Sequence, residues 1–475
     1  MNCNPYLPFS EFIPDGEPHV FNDRLYVYGS HDAPGVNKFC VGDYTVWSCD
    51  INDLTNWKNE GVSYTRTSDP HNFDGSRALF APDVAKGTDG CYYLYYCLDF
   101  LQEIGVAKSS CPEGPFTFYG HIHYPDGTLL KEYFPYDPAV LVDDDGSVYL
   151  YYGFAAHFEG GSFGTITPSP GCMVIQLESD MVTVKMPPVL CLPTDKNCIG
   201  TSFPPEHAYF EAPSIRKING QYILVYSSQA QHELCYAVSS FPDRNFVYQG
   251  VLISNGDIGL DGNRKPVNYI GTNHGGICQI HDAFYVFYHR NTHGLATSRQ
   301  GCAERIFPDH NGHFPQTGIT SYGLYGRPFS EARQYSAFEA CYLECLDTSP
   351  CMKINQDFRD REPYFSLENK HNDPLCIIAN IHNRCMFGYN AFSLDECATF
   401  ILIIRGTAKG KIIVSSDRDR TNILGQTDII VSGEQIDFPV HLSNSSGTYK
   451  LFFTYYGQGS LDFLYLKLTK SNLLD

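Results

Sequence analysis

The sequence predicts an all-β protein: a five-bladed β-propeller over residues 1–325, then a β-sandwich of jelly-roll type over residues 326–475. Two observations carry the prediction. A hairpin unit recurs five times in the first part, each copy closing on a tyrosine-rich apolar run. Past residue 325 the unit stops, and short strands follow at the spacing of a sandwich.

The clearest copy runs from Phe210 to Tyr226. It reads as one acid, Glu211, then a short apolar run, the turn Asn219–Gly220 and the strand Gln221–Tyr226. Asn and Gly accept the positive φ angles of a type I′ turn, so the stretch is a β-hairpin. Its relatives begin at Asp15, Phe80, Asp137 and His274 and reach Tyr26, Tyr92, Tyr149 and Tyr285, always 11 or 12 residues on. Successive key positions are 65, 57, 74 and 63 residues apart, enough for a four-stranded blade each.

Position then implies chemistry. The innermost strand of every blade lines the central channel, so residues at its entry converge on the axis. The repeat gathers Asp15, Asp137, Glu211, His274 and Phe80 around one small pocket. Crowded carboxylates repel, and stability alone is a poor reason for such a ring.

Composition narrows the partners. The chain has 33 Lys and Arg against 53 Asp and Glu, a formal charge of −20, which argues against nucleic acid or an anionic membrane. No apolar run approaches the length of a membrane span. The start, Met1–Pro5, has neither a basic region nor an apolar one, so we expect a cytoplasmic protein. In that compartment the 18 cysteines are expected to be reduced and to act mostly as small buried hydrophobes. Cys341, Cys345 and Cys351 lack Cys-x-x-Cys pairing, and we read them as thiols rather than zinc ligands.

Taken in order, blade one holds Asp15, a strand ending at Gly29, the strand Tyr44–Ser48 and a turn over Leu54–Trp57. His31 and Trp47 are placed either toward the pocket or in the core, and Trp57 packs the outer blade. Blade two opens on Phe80, an apolar wall or a stacking platform for a sugar ring. Asp83, inside the strand, reads as structural. Blade three opens on Asp137, and its turn Asp143–Gly146 is a solvated bend. Residues 154–208 form a long, irregular, Gly- and Pro-rich stretch around the outer strands of blade three, of the kind that sets substrate choice. Blade five brings His274, which offers a cation ligand, a hydrogen bond to substrate, or a satisfied buried imidazole. Arg290 reaches either a pocket group or an outward salt bridge. Residues 330–394 read as irregular and Cys-rich, with strands resuming near Thr399.

These units resemble glycoside hydrolase family 43 over about residues 1–325. The resemblance rests on Asp15–Phe21, Phe80–Val84, Tyr136–Gly146 and Phe210–Ile215. It implies inverting glycosidases acting as β-xylosidases, α-L-arabinofuranosidases, arabinanases or galactanases. It also implies Asp15 as general base, Asp137 as modulator of the acid's pKa and Glu211 as general acid. His31, Trp47, Phe80 and Arg290 are candidate substrate contacts from their places in the blades, not from the resemblance. His274 matches a position that helps hold a central calcium in some members. The tail resembles, more weakly, a family 6 carbohydrate-binding module. One departure is Asp15–Gly16, where the family often has Asp-Pro.

The residue chemistry agrees with an exo-acting, inverting enzyme on pentose-containing plant-wall oligosaccharides. Blades three and four are neighbours, so an ionised Asp137 is expected to raise the pKa of Glu211. The alternatives are a galactan- or arabinan-cleaving enzyme of the same family and a non-catalytic sugar-binding propeller. A lectin has no use for three convergent carboxylates. The retaining fructan-cleaving propellers carry an Asn-Asp-Pro-Asn-Gly opening that this sequence lacks.

Overall fold

The computed structural model describes residues 3–99, 101–156, 167–292, 295–346, 362–370, 373–395, 398–443 and 446–469. Blade one is β1 (Glu17–Phe21), β2 (Arg24–Tyr28), β3 (Tyr44–Asp50) and β4 (Asp53–Tyr64). Blade two is β5 (Leu79–Lys86), β6 (Tyr92–Leu98), β7 (Ile104–Ser109) and β8 (Thr117–His121). Blade three is β9 (Ala139–Val142), β10 (Val148–Tyr152), β11 (Gly171–Leu177) and β12 (Val184–Pro193). Blade four is β13 (Tyr209–Ile218), β14 (Gln221–Ser228), β15 (Leu234–Ser239) and β16 (Val247–Ile253). In all four, strands pair antiparallel in chain order.

Blade five departs from the expected four strands. It has three: β17 (Ile277–Ile280), β18 (Ala283–Asn291) and β19 (Arg299–Ile306). The free edge of β19 is met by the N-terminal segment. Tyr6 N–H donates to Gly301 O at 3.1 Å, and the Asn4 amide bonds Ala303 N–H and Ala303 O at 2.9 and 3.2 Å. The chain's start thus occupies the place a fourth strand would take and closes the ring.

The middle strands of blades one to four are buried on both faces, which is why they read as nearly unbroken apolar runs, whereas the outermost strands β4, β8, β12 and β16 are exposed or half-buried over much of their length. Tyr28, Tyr64, Leu94 and Tyr96 fill the wedge between blades one and two; Tyr93, Tyr95, Leu150 and Tyr152 that between two and three. The tyrosines suit wedges because the ring is apolar and the hydroxyl finds a carbonyl next door. Tyr28, Tyr95 and Tyr151 donate across blade boundaries to Pro112 O, Met181 O and Pro242 O at 2.7, 2.8 and 2.5 Å.

Among the described residues the C-terminal part is one curled sheet of nine strands. Its long strands β25 (Thr399–Ser415) and β28 (Gly447–Thr469) carry β26 (Ile423–Ser432) and β27 (Ile436–His441) on one side. The other strands, β20 (Gln334–Ser336), β21 (Tyr342–Cys345), β22 (Tyr364–Lys370), β23 (Asp373–Ile381) and β24 (Cys385–Leu394), fall where the sequence reads as irregular. The periodicity is hidden there because cysteines fill apolar positions, as Cys376 and Cys385 do in the core. Cys351 lies outside the described residues. So do residues 157–166 of the stretch over 154–208, whose outer strands are β11 and β12.

The curled sheet shares a core with the propeller. Cys341, Tyr342, Met386 and Phe452 pack with Ile253, Val267, Phe314 and Ile319. Tyr342 OH donates to Asp257 Oδ2 at 2.9 Å across the same boundary. Among the described residues no helix is long and apolar enough to cross a membrane.

Candidate active site

The inner strands of blades one to four each enter the site through a strained turn. Asp15 and Asp137 stand at φ 56° and 48°, a left-handed conformation that aspartate tolerates better than most residues. In blades two and four the positive φ moves one residue on, to Ala81 (22°) and Ala212 (61°), beside Phe80 and Glu211. The β5–β6 and β13–β14 ladders carry register shifts just there, between Phe80 and Asp83 and between Glu211 and Ser214. Alanine in this region costs ~1–2 kcal/mol. Such strain, held by surrounding structure, is characteristic of functional sites.

Asp15 is 3% exposed and lies against Arg299, whose Nη1 donates to Oδ1 at 2.8 Å. The same guanidinium grips Asp32, from Nε to Oδ2 at 2.9 Å and from Nη2 to Oδ1 at 3.2 Å. Burial pushes the Asp15 carboxyl above its usual range, and Arg299 and Ser30 pull against that shift. A desolvated carboxylate is a stronger base than one in water. His289 Nδ1 accepts the Asp15 backbone N–H at 3.2 Å. Burial, then the positive Arg299, drives the His289 pKa well down, so this imidazole is neutral.

Asp137 and Glu211 form the second part. Asp137 is 4% exposed and accepts a hydrogen bond from Ala212 N–H, the residue next to Glu211. Burial first, then the charges of Glu211 and Asp15, push the Asp137 carboxyl well above the usual range. This departs from the expected picture of an ionised Asp137, because Asp137 is the buried member. The Glu211 side chain is 15% exposed, and its Oε1 lies 3.5 Å from His232 Nδ1.

An aromatic wall completes the pocket from blades two to four. Phe80 is half-buried and meets Tyr136 at 5.8 Å between ring centroids, within a cluster that includes Phe134, Phe154 and Phe210. Phe210 in turn stands edge-on to His232 at 4.7 Å. His31 is half-buried, its Nδ1 bonded to Asp43 O at 3.0 Å, on the loop that also carries Asp32.

Two candidate contacts lie elsewhere. Trp47 packs with Val27, Cys278 and Phe287 in the wedge between blades one and five, in the core position rather than at the pocket. Arg290 is 2% exposed and donates from Nε to Cys302 Sγ at 3.1 Å, in neither of the expected places. The reason is strand alternation: β18 sends His289 toward Asp15, so its neighbour Arg290 faces the opposite side. Arg299, Asp32, His289 and His232 escaped the sequence reading. None sits at the repeated position, and only their places at strand ends and loops could have marked them.

Below the carboxylates the axis is polar. His274 is 4% exposed, and burial brings its pKa down to about 4, leaving neutral imidazole. Its Nε2 lies 3.7 Å from Glu17 Oε1, a buried oxygen without a hydrogen-bond partner among the described residues. Glu17 Oε2 accepts from Ser214 Oγ and Arg216 Nη2 at 2.9 and 2.8 Å. Gly276 is required at this crossing, since a Cβ there would come within 2.1 Å of Ser214 Oγ. An unpartnered carboxylate oxygen facing a neutral imidazole fits a cation. It supplies only two of the six to eight donors calcium takes, leaving the rest to water. Asp83 bonds His19 Nε2 at 2.6 Å and Val140 N–H at 2.7 Å, a structural role as expected.

Residues 9–314 match the model of glycosyl hydrolases family 43. The chain belongs to this family. A xylosidase/arabinosidase of Thermoclostridium stercorarium is 39% identical over 466 residues, 96% of each chain. Another xylosidase/arabinosidase, from Bacteroides ovatus, is 32% identical over 60% of this chain and 87% of its own. Among solved structures, the GH43_1 enzyme from Xanthomonas citri complexed with xylose is 28% identical. It covers 66% of this chain and 93% of its own, with a TM-score of 0.54. The β-xylosidase/α-arabinofuranosidase CoXyl43 from a compost metagenome, with xylotriose and in calcium-free form, is 26% identical. It covers 67% and 98%, with a TM-score of 0.53.

Proposed function

We propose that this family 43 glycoside hydrolase removes terminal β-xylosyl or α-L-arabinofuranosyl units from plant-wall oligosaccharides with inversion. The observation that carries the reading is the convergence of Asp15, Asp137 and Glu211 at one end of the propeller axis. The names of the relatives that match over most of their length support the sugar class.

In this reading Glu211, the more open carboxyl, gives its proton to the glycosidic oxygen as the C1–O bond breaks. Asp15 takes a proton from a water whose oxygen bonds C1 from the opposite face. Inversion requires these two groups on opposite sides of the ring, and the reaction leaves Glu211 as carboxylate and Asp15 as acid. Proton exchange with solvent resets both. Arg299 fixes the orientation of Asp15. Asp137, whose carboxyl is pushed well above the usual range by burial and by the charges of Glu211 and Asp15, accepts from Ala212 N–H and so stands beside the acid. Phe80 and its aromatic neighbours supply an apolar face for the sugar ring.

A calcium ion at the axis would be held by His274 Nε2 and Glu17 Oε1, where it would supply positive charge beneath the carboxylates. The test is a panel of nitrophenyl glycosides, including xyloside, arabinofuranoside and galactoside, with the product anomer followed by proton NMR. First-formed anomer of inverted configuration from xyloside or arabinofuranoside supports the proposal. Retention, or galactoside as the preferred substrate, overturns it.

A further inference from the structure

The C-terminal sheet carries a constellation that the hydrolytic site does not use. One ligand atom from each of Cys345, His382 and Cys385 lies within 4.8 Å of the other two. We infer that these residues form a thiolate–imidazole site for a single zinc ion. The inference is independent of the glycosidase reading.

The topology builds the site from three directions. Cys345 ends β21 and Cys385 begins β24, and the two are register partners in the antiparallel ladder, so their side chains leave the sheet on the same side. The turn from β23 into β24 brings in His382. Cys385 N–H donates to His382 O at 3.0 Å, and Arg384 takes the left-handed conformation at φ 67° that closes the turn. That turn is pinned from outside as well. Leu346 N–H donates to Arg384 O at 3.0 Å, and Arg384 N–H to Tyr455 O at 2.7 Å. Backbone bonds therefore fix all three ligands before any ion arrives.

The chemistry of the donors selects the ion. Two sulfurs and one imidazole suit zinc and exclude calcium or magnesium, which take oxygen. In a tetrahedral site, Zn–S of ~2.3 Å and Zn–N of ~2.0 Å put ligand atoms about 3.5–3.8 Å apart, inside the 4.8 Å that bounds this cluster. The cysteines are 5% and 0% exposed while His382 is half-buried, so an ion can enter on the imidazole side and keep a water as its fourth ligand. The pair Cys172 and Cys191 in blade three shows the contrast. Those thiols also approach across a ladder, with Cys191 Sγ donating to Cys172 O at 3.2 Å, yet among the described residues no imidazole joins them.

The consequence is mechanical. β21 begins at Tyr342, which packs into the core shared with the propeller, and ends at Cys345. A zinc ion at that end ties β21 to the β23–β24 turn and so clamps the strand that joins the two parts of the chain.

The test uses the full chain, reduced, stripped with a chelator and desalted, then titrated with cobalt(II) as a spectroscopic stand-in. We expect a thiolate-to-cobalt charge-transfer band that saturates at one equivalent and is abolished by one equivalent of zinc. The Cys345→Ser/Cys385→Ser double variant should lack it, and Cys172→Ser should keep it. Should the double variant fail to fold, His382→Ala, altered at a half-exposed turn, should weaken zinc binding at least tenfold. A spectrum without the band, a band that survives loss of both cysteines, unchanged affinity in His382→Ala, or a Cys345–Cys385 disulfide in the protein as purified would overturn the inference.

Discussion

Arg299 holds Asp15 through a 2.8 Å hydrogen bond while its other nitrogens hold Asp32, so one guanidinium bridges two buried carboxylates. The geometry uses the planar fork, which lysine lacks. Arg299→Lys should keep the charge and lose the bridge. We expect turnover to fall about 100-fold through misplacement of Asp15, with a smaller change in KM. Steady-state kinetics on the preferred nitrophenyl glycoside checks this; an unchanged kcat would show that the bridge does not position Asp15.

Asp15→Asn leaves size and shape in place and removes the base. Turnover should drop about 1,000-fold, in the range a positioned proton acceptor contributes. Substrate binding, measured calorimetrically with xylotriose, should persist. Near-normal turnover would exclude Asp15 as the base.

Asp137 is held protonated beyond the usual carboxylate range by burial and by the nearby charges of Glu211 and Asp15. For two coupled acids, removing one charge lowers the pH at which the last proton leaves. Asp137→Asn should therefore move the basic limb of the kcat/KM profile toward acid, by about one unit or more. A basic limb that stays put, or moves to higher pH, would contradict the coupling.

At the boundary between propeller and C-terminal sheet, burial pushes the Asp257 carboxyl up to about 6, from 3.8 in the unfolded chain. The folded state thus binds the proton more tightly. The associated stability is full below the unfolded pKa and is lost as pH rises through about 6. The difference corresponds to about 3 kcal/mol. Asp257→Asn keeps an acceptor for Ile319 N–H and removes the titration. Its thermal midpoint should change less between pH 4 and pH 8 than that of the parent; an equal change would place the pH dependence elsewhere.

Much of the site was legible because it is repeated. Asp15, Asp137, Glu211, Phe80 and His274 could be aligned by counting from their tyrosines, since a strand of fixed length carries its first residue to a fixed place. Trp47 and Arg290 show where counting stops. The strands that carry Trp47 and Arg290 are buried on both faces there, so their apolar runs give no sign of which face looks to the pocket and which to a neighbour. A one-residue change of phase exchanges His289 for Arg290. Arg299, Asp32 and His232 lie on strand ends and loops that the repeat does not govern, and only folding brings them to the carboxylates.

The sequence by itself determined the fold class, the five inner strands and the acids at their entries, because hairpin turns and strand periodicity are local properties of the chain. Tertiary structure alone decided that the N-terminal segment closes blade five, that Asp137 rather than Glu211 is the more buried acid, and that Cys345 meets His382 and Cys385. Each depends on contacts between residues far apart in the chain, and burial, which sets both charge state and packing, has no value until those contacts form.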